Sequence, residues 1–334
     1  MIRVAVVIPN WNGRKWLGPC LSSLRAQRYR AFETIVVDNG STDGSVAFLA
    51  EAFPEVRVCA EPRNLGFAAG MNLGFNAGGP VDYLAALNND TVAEPDWLEA
   101  LVRALDADPG AGSAAALMVS LRDPQVIDTA GDGYGWTGLS FKLGAGLPVG
   151  QVPELPYQVF GASAGACLYR RRMLDEIGTF DETYFAYMED VDLALRARLA
   201  GWSCVAVPAA RVRHAGAASS GSGPSDFSVR LSTRNILVTI LKNAPAPVLL
   251  PMVTGALLMQ MAAIGASLLT GRPAWLALRR RAWAQGVLAA GRGLPAALAA
   301  RRRNRPLRRL STLGFLRMIT RARAQRARFA RGGA

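Results

Sequence analysis

The sequence predicts an α/β domain built on a mostly parallel sheet, followed by a helical appendage, and three observations carry that reading. Strand-like and helix-like stretches alternate from residue 3 to residue 105, the pattern of a sheet wound with crossover helices. Polar residues collect where the strand-like runs end. Beyond residue 243 charge first vanishes and then returns as arginine alone.

The first strand-like run, RVAVVIP, stops at Pro9, and NWNGRKW leads into a helix with Trp16, Leu17, Cys20, Leu21 and Leu24 at helical spacing. A second run, Thr34 to Val37, ends in Asp38 and a glycine- and serine-rich turn that opens another helix. EVRVCAE is the third. It is followed by PRNLGFAAGMNLGFNAG, a loop and helix whose glycines let backbone approach a ligand closely. The fourth, Tyr83 to Leu87, ends abruptly in Asn88, Asn89 and Asp90, and Pro95, Asp96 and Trp97 open the next helix.

In an open parallel sheet, ligands sit outside the carboxyl ends of the strands, where glycine turns and helix N-termini offer N–H groups to phosphate. A single carboxylate there, Asp90, suits a hard cation such as Mg²⁺ or Mn²⁺ that takes its other oxygens from phosphate and water. The same run also reads as an ordinary strand-to-helix turn. No G-x-G-x-x-G follows the first strand and no Walker A sequence is present, which argues against dinucleotide-binding and P-loop ATPase classes.

At 334 residues and 51% hydrophobic content, the chain has material for a sizeable core and more than one unit. Its four cysteines, Cys20, Cys59, Cys167 and Cys204, form no CxxC pair, so neither a zinc site nor a disulfide framework is expected, and a reducing location fits. The apolar run at the N-terminus is too short for a signal peptide. From residue 272 onward there are 17 Arg and no Lys, Asp or Glu; removing those 17 from the net +13 leaves −4 on the first 271 residues. The basic character thus belongs to the tail, the candidate for contact with anionic lipid or nucleic acid.

VVIPNWN, IVVDNGSTDGS, RNLGFAAGMN and LNNDT, in this order, resemble the family 2 glycosyltransferases, and the resemblance continues through GASAGACLYRR (161–171), FDETYFAYMEDVDLALRARLAGW (180–202) and His214 in VRHAG. It covers about residues 3–243 and is nearest to the bacterial rhamnosyltransferase-type enzymes of cell-surface polysaccharide assembly. The resemblance implies a GT-A type fold, a Rossmann-like mixed sheet flanked by helices that binds a nucleotide sugar. It implies that Pro9, Asn10, Asn12, Asp38, Asn64, Gly70, Asn72, Asn88 and Asn89 surround the donor, with Asp38 on the pyrimidine base. A carboxylate accepting from a ring N–H selects uracil or thymine over cytosine. Asn88, Asn89 and Asp90 fall on the family's D-x-D position, with Asn in place of the first Asp. Asp90 is then the one carboxylate for Mg²⁺ or Mn²⁺, and His214, the single histidine, is the second metal ligand.

Glu189 and Asp190 open a helix whose inward face is marked by Leu193, Ala197 and Ala200. Acidic residues in a first turn serve caps and the macrodipole, which would also keep a carboxylate ionised. By resemblance Asp190 is the general base and Glu189 supports the acceptor. Asp192 and Arg196, four apart, read as a local pair. The implied reaction is an inverting, single displacement from a pyrimidine nucleoside diphosphate, with dTDP-L-rhamnose as donor and a UDP-hexose or UDP-galactofuranose as the alternative, onto a saccharide acceptor, polyprenyl-linked if the site works at a membrane. With one His and no nucleophile elbow, a hydrolase triad is unsupported. Residues 131–168, rich in glycine and aromatics, read as loops and short strands that shape the acceptor pocket.

Residues 243–271 carry no charge over 29 positions, enough to span a bilayer, although Pro251 and Gln260 weaken that reading. A second, weakly apolar stretch, 282–300, is flanked by arginine clusters. Both the catalytic part (1–243) and the arginine-rich tail (304–334) are expected on the cytoplasmic face. Residues 244–303 then lie in the interface or make a two-pass hairpin on an anionic membrane, with no nucleic acid expected. The competing class is a catalytically degenerate scaffold that binds membrane or nucleic acid through the tail; Asn88 is the residue that favours it.

Overall fold

The structure is a computed structural model and describes residues 2–216, 225–269 and 273–331, with the side chains of 263–269 and 273–279 outside that description. The first half alternates β1 (Val4–Asn10), α1 (Arg14–Arg25), β2 (Phe32–Asn39), α2 (Ser45–Ala52), β3 (Arg57–Glu61), α3 (Phe67–Ala77) and β4 (Tyr83–Leu87). After a short β5 (Thr91–Ala93) come α4 (Trp97–Ala107), β6 (Ala111–Ser120), β7 (Ile127–Thr129), β8 (Asp132–Tyr134), β9 (Ser140–Lys142) and β10 (Tyr157–Val159). Then follow β11 (Ala166–Arg170), α5 (Arg171–Ile177), α6 (Glu189–Leu199) and β12 (Ser203–His214). The rest is helical: α7 (Asp226–Asn243), α8 (Ala246–Leu269), α9 (Pro273–Arg292), α10 (Leu294–Asn304) and α11 (Thr312–Ala330).

The strand order β10-β12-β6-β11-β4-β1-β2-β3 determines where a site can form. β1 is parallel to β2 and β4, and β12 is parallel to β6. β11 runs antiparallel to both β4 and β6. Two reversals cancel, so β6 and β12 again point the same way as β4. The carboxyl ends of β1, β2, β4, β6 and β12 therefore share one edge with the amino end of β11. Central strands such as β4 and β11 are apolar and buried along nearly their whole length, as strands covered on both faces must be. α4 buries a single stripe, Trp97, Leu98, Leu101, Val102 and Leu105.

Apolar clusters fill the two faces of the sheet, and a third cluster lies beyond it. In the third, Val191, Leu195 and Leu199 of α6 pack with Ile236, Leu237 and Ile240 of α7 and with Met252, Ala290, Ala297, Phe315 and Ile319 of the later helices. The arginine-rich segment ends in α11, which buries Phe315, Met318, Ile319, Ala322 and Phe329. Phe329 reaches the core cluster of the sheet, close to Gly144, and tilts against Tyr157 at 6.4 Å.

A buried ionic cluster fastens α7 to α6. Arg196 Nε donates to Asp192 Oδ2 at 2.9 Å, the local pair expected from the sequence, and Lys242 Nζ reaches Asp192 Oδ1 at 2.8 Å and Asp181 Oδ2 at 2.6 Å. Asn243 Nδ2 adds a bond to Asp192 Oδ1 at 2.8 Å. Among the described residues no helix is long and apolar enough to cross a membrane. The apolar stretch 247–270 in which a span was sought falls partly outside the described residues.

Candidate active site

Where the strand ends meet, a cleft of about 660 Å³ opens, lined by Pro9, Asn10, Asn64, Asn88, Asn89, Asp90, Glu189, Asp190 and His214 among the residues expected from the sequence. Asn10, at the tip of β1, organises one wall. Its Nδ2 donates to Asp38 Oδ1 at 2.8 Å and Ser41 Oγ at 3.2 Å, and its Oδ1 accepts from Asn89 Nδ2 at 2.7 Å. Asp38 is 2% exposed and accepts a second bond, from Ser41 N at 3.0 Å. Asn12, at φ +50°, accepts from Thr42 N at 2.8 Å while its own N donates to Ser41 Oγ at 2.9 Å. These bonds tie the β1 and β2 loops together. Gly13 is required beside them, because a Cβ there would collide with the Asn89 and Asn10 amides.

Asp38, Asn12, Gly70 and Asn72 do not line the cleft. Gly70 faces Asn39 and Val37 on the inner side of α3. The Asn72 amide donates to Phe180 O at 2.9 Å and Glu182 Oε1 at 3.0 Å and accepts from Phe180 N at 3.1 Å. These bonds latch α3 to the segment before α6.

On the opposite wall His214 closes β12. Its Nδ1 is 2.8 Å from Asp128 Oδ2, whose other oxygen accepts from Lys142 Nζ at 2.7 Å, and its Nε2 points at Asp90 Oδ1, 3.3 Å away. Burial lowers the imidazolium pKa, but the hydrogen bonds to Asp128 and Asp90 outweigh it and raise the pKa to about 9. For Asp128, burial is outweighed by His214 and Lys142, and the carboxyl falls to about 2.

A histidine with one nitrogen held by a carboxylate and the other facing a second carboxylate suits a divalent ion, the proton between them being what the ion would displace. Asp90 and His214 fit Mg²⁺ or Mn²⁺ as two protein ligands, with substrate oxygens and water completing the set. Among the described residues no group of three or more His, Cys, Asp or Glu side chains could hold a metal, so an ion here would depend on its substrate.

Asp190 sits in the first turn of α6, facing the amino end of β11. Its Oδ1 accepts from Val191 N at 2.8 Å and its Oδ2 from Ala164 N at 3.3 Å. Burial raises its pKa in spite of these N–H bonds. Glu189 is raised further, by burial and then by Asp190, and its Oε2 is buried with no hydrogen-bond partner. Such an orphan acceptor calls for a ligand hydroxyl. Asp132, on β8, is pushed up to about 7 by burial and by the Asp190 charge.

The backbone before α6 is strained, with Phe185, Tyr187 and Met188 at φ +64°, +68° and +70°. Asn235 of α7 holds it, its Nδ2 lying 3.1, 2.9 and 2.8 Å from the carbonyls of Tyr184, Ala186 and Tyr187. Gly66, at φ +89°, faces this loop, and a Cβ there would stand 2.6 Å from Phe185 O. Strained residues held by their surroundings concentrate at functional sites.

Sequence reasoning named no role for Asp128, Asp132, Lys142, Asn235 or the cleft-lining Trp11 and Asn39. Asp132 and Lys142 were within its reach, since both fall in the segment 131–168 assigned to the acceptor pocket; Asp128 lies just before it. Asn235 gave no signal, since its partners are backbone carbonyls 48 to 51 residues away.

The model of the family described as Glycosyl transferase family 2 matches residues 5–178. An N-acetylglucosaminyl-diphospho-decaprenol L-rhamnosyltransferase of Mycobacterium tuberculosis is 33% identical over 228 residues, covering 61% of this chain and 73% of that protein. GalNAc-T7, crystallised with UDP, GalNAc and Mn²⁺, superposes with a TM-score of 0.57 at 17% identity over 71% of this chain and 48% of that one. The mannosyltransferase PcManGT from Pyrobaculum calidifontis, in complex with GDP-Man and Mn²⁺, gives 0.53 at 19% identity over 87% and 86%. At these identities the two structures bear on the fold, which is the GT-A-like mixed α/β fold expected.

Proposed function

Because this chain belongs to glycosyl transferase family 2, whose model covers more than half of it, we propose that it is a metal-dependent, inverting glycosyltransferase. In this reading it moves L-rhamnose from dTDP to a hydroxyl of a polyprenyl-diphosphate-linked saccharide. The observation that carries the proposal is the convergence on one cleft of Asp190, the orphaned Glu189, and the Asp90–His214 pair held from behind by Asp128. The relative's name supports the donor sugar and the acceptor class, and Mn²⁺ in the two structural neighbours supports a divalent ion.

The residues divide the work. The Asn10 and Asn89 amides, fixed from behind by Asp38, give the nucleotide a preformed wall, so little ordering remains to be done on binding. Asp90 and His214 would hold the ion, which when bound supplies positive charge to the departing diphosphate. Asp190 takes the proton of the acceptor hydroxyl as its oxygen bonds to the anomeric carbon and the bond from that carbon to the diphosphate breaks on the opposite face. Glu189 Oε2 hydrogen-bonds a neighbouring acceptor hydroxyl. The raised pKa of Asp190 makes it a stronger base than a solvated aspartate, provided the pH is high enough to ionise it.

We extend the reading to a cytoplasmic membrane surface. Exposed Leu250, Leu258 and Met261 on α8 and Leu294 and Leu298 on α10 accompany the arginines of the C-terminal helices, a mixture suited to an anionic interface. The test is turnover of dTDP-L-rhamnose against UDP-hexoses and UDP-galactofuranose on prenyl-diphosphate-linked N-acetylglucosamine, with and without Mn²⁺ and with the product anomer assigned by NMR. Transfer from dTDP-rhamnose with inversion, abolished by chelation, is expected. Retention of configuration would remove the single-displacement mechanism, and metal-independent transfer would remove the role given to Asp90 and His214.

A further inference from the structure

We propose, on the reading that the acceptor is lipid-linked, that the hollow between the β8–β9 hairpin, α8 and α11 receives the diphosphate and first prenyl units of a polyprenyl-diphosphate acceptor. The hollow measures about 590 Å³ and is separate from the catalytic cleft, but Leu139 and Ser140 line both. A ligand lying in it is thus one hairpin strand away from the space in front of Asp190. Continuity of this kind is what an acceptor needs when its sugar must reach the base while its carrier stays outside.

The lining states the chemistry. Trp136, Leu139 and Phe141 come from the hairpin and Met259 from α8, and they offer aromatic and thioether surface of the sort that accommodates branched hydrocarbon. Arg323 and Arg326 enter from α11, with the Arg326 guanidinium 5.1 Å from the centre of the Phe141 ring. Neither makes an ion pair among the described residues, and no carboxylate or side-chain amide lines the hollow. Two guanidinium groups beside an apolar floor match an amphiphile with a diphosphate head, because arginine forks bind phosphate oxygens bidentately. A free saccharide would find there no carboxylate or side-chain amide oxygen to accept from its hydroxyls, only the hydroxyls of Thr137 and Ser140 beside the two guanidinium groups.

The experiment uses the full chain in detergent and measures steady-state KM for farnesyl-diphosphate-linked N-acetylglucosamine, with farnesyl diphosphate and inorganic pyrophosphate as competing inhibitors. Arg323→Ala combined with Arg326→Ala should raise the acceptor KM at least tenfold and weaken inhibition by farnesyl diphosphate equally, with donor KM and kcat at saturating acceptor unchanged. The corresponding double lysine variant should recover part of the loss, which simple misfolding would not allow. Trp136→Ala should weaken farnesyl diphosphate several-fold and leave pyrophosphate inhibition unaltered. If wild type prefers the lipid-linked acceptor but the double alanine variant keeps its KM, the hollow is not the carrier site and the functional reading stands. Pyrophosphate inhibiting as well as farnesyl diphosphate would overturn the apolar half of the assignment. If wild type treats lipid-linked and free saccharide alike, the acceptor reading falls and takes this proposal with it.

Discussion

Asp190 and Asp192 stand two residues apart in the first turn of α6, and the fold puts them in opposite electrostatic states. Both are buried. Asp192 is met by Lys242, Arg196 and Asn243, which outweigh burial and hold it well below the usual carboxylate range. Asp190 is met by two backbone N–H groups and by further carboxyls, and burial pushes it upward. A helix turns about 100° per residue, so positions two apart face different neighbours; here one faces α7 and the other the cleft. A paired, depressed carboxylate is the mark of architecture, whereas an unpaired, elevated one at a cleft is the mark of chemistry.

The contrast is broken most severely at Asp190. Asp190→Asn should lower kcat about 10³- to 10⁴-fold, the range of a general base, while nucleotide affinity, read by calorimetry, and the melting temperature stay near wild type. Equal loss of nucleotide binding would recast Asp190 as structural. The mirror experiment is Lys242→Met, which strips the Nζ from Asp181 and Asp192. Removing one partner of a buried ion pair costs about 3–5 kcal/mol, to be seen as a lower urea midpoint, with activity per folded molecule retained.

A subtler change is Asp132→Asn. Asp132 is the group that the Asp190 charge helps push up to about 7, so it is still neutral where Asp190 ionises. The substitution should abolish any change in kcat/KM near pH 7 and leave the acid limb in place; a displaced acid limb would show that Asp132 is charged when Asp190 titrates. The smallest effect concerns acid stability. Asp181 and Asp192 have folded-state pKa values below their unfolded ones. Their contribution is therefore fully present above the unfolded value, about 3.9, and is lost as pH falls below it. The urea midpoint of wild type should drop between about pH 4 and pH 2, and that of Lys242→Met should drop less.

How much of this was legible from sequence follows the same division. The strand ends at Asn10, Asp38 and Asn88–Asp90 could be read because each closes an apolar run with polar residues, and the run itself locates the edge. Asp192–Arg196 could be read because both lie on one helix. Asn72 could not be placed, since its use depends on Phe180 and Glu182, more than a hundred residues away. Nor could the antiparallel insertion of β11 between β4 and β6: the run Ala166–Arg170 looks the same whichever way it points, and only its pairing brings Ala164 and Gly165 to the cleft. Composition likewise marked where arginine begins but not that α11 sinks Phe329 into the core cluster of the sheet.

The third apolar cluster, where α6 meets helices from the far end of the chain, bears on how the molecule comes apart. Contacts that join α6 to Phe315 and Ile319 cannot melt in one part alone, so heating should give a single calorimetric endotherm and not two. A fragment cut after Asn243 would keep Ile236, Leu237 and Ile240 without their cover, and should aggregate where the whole chain refolds.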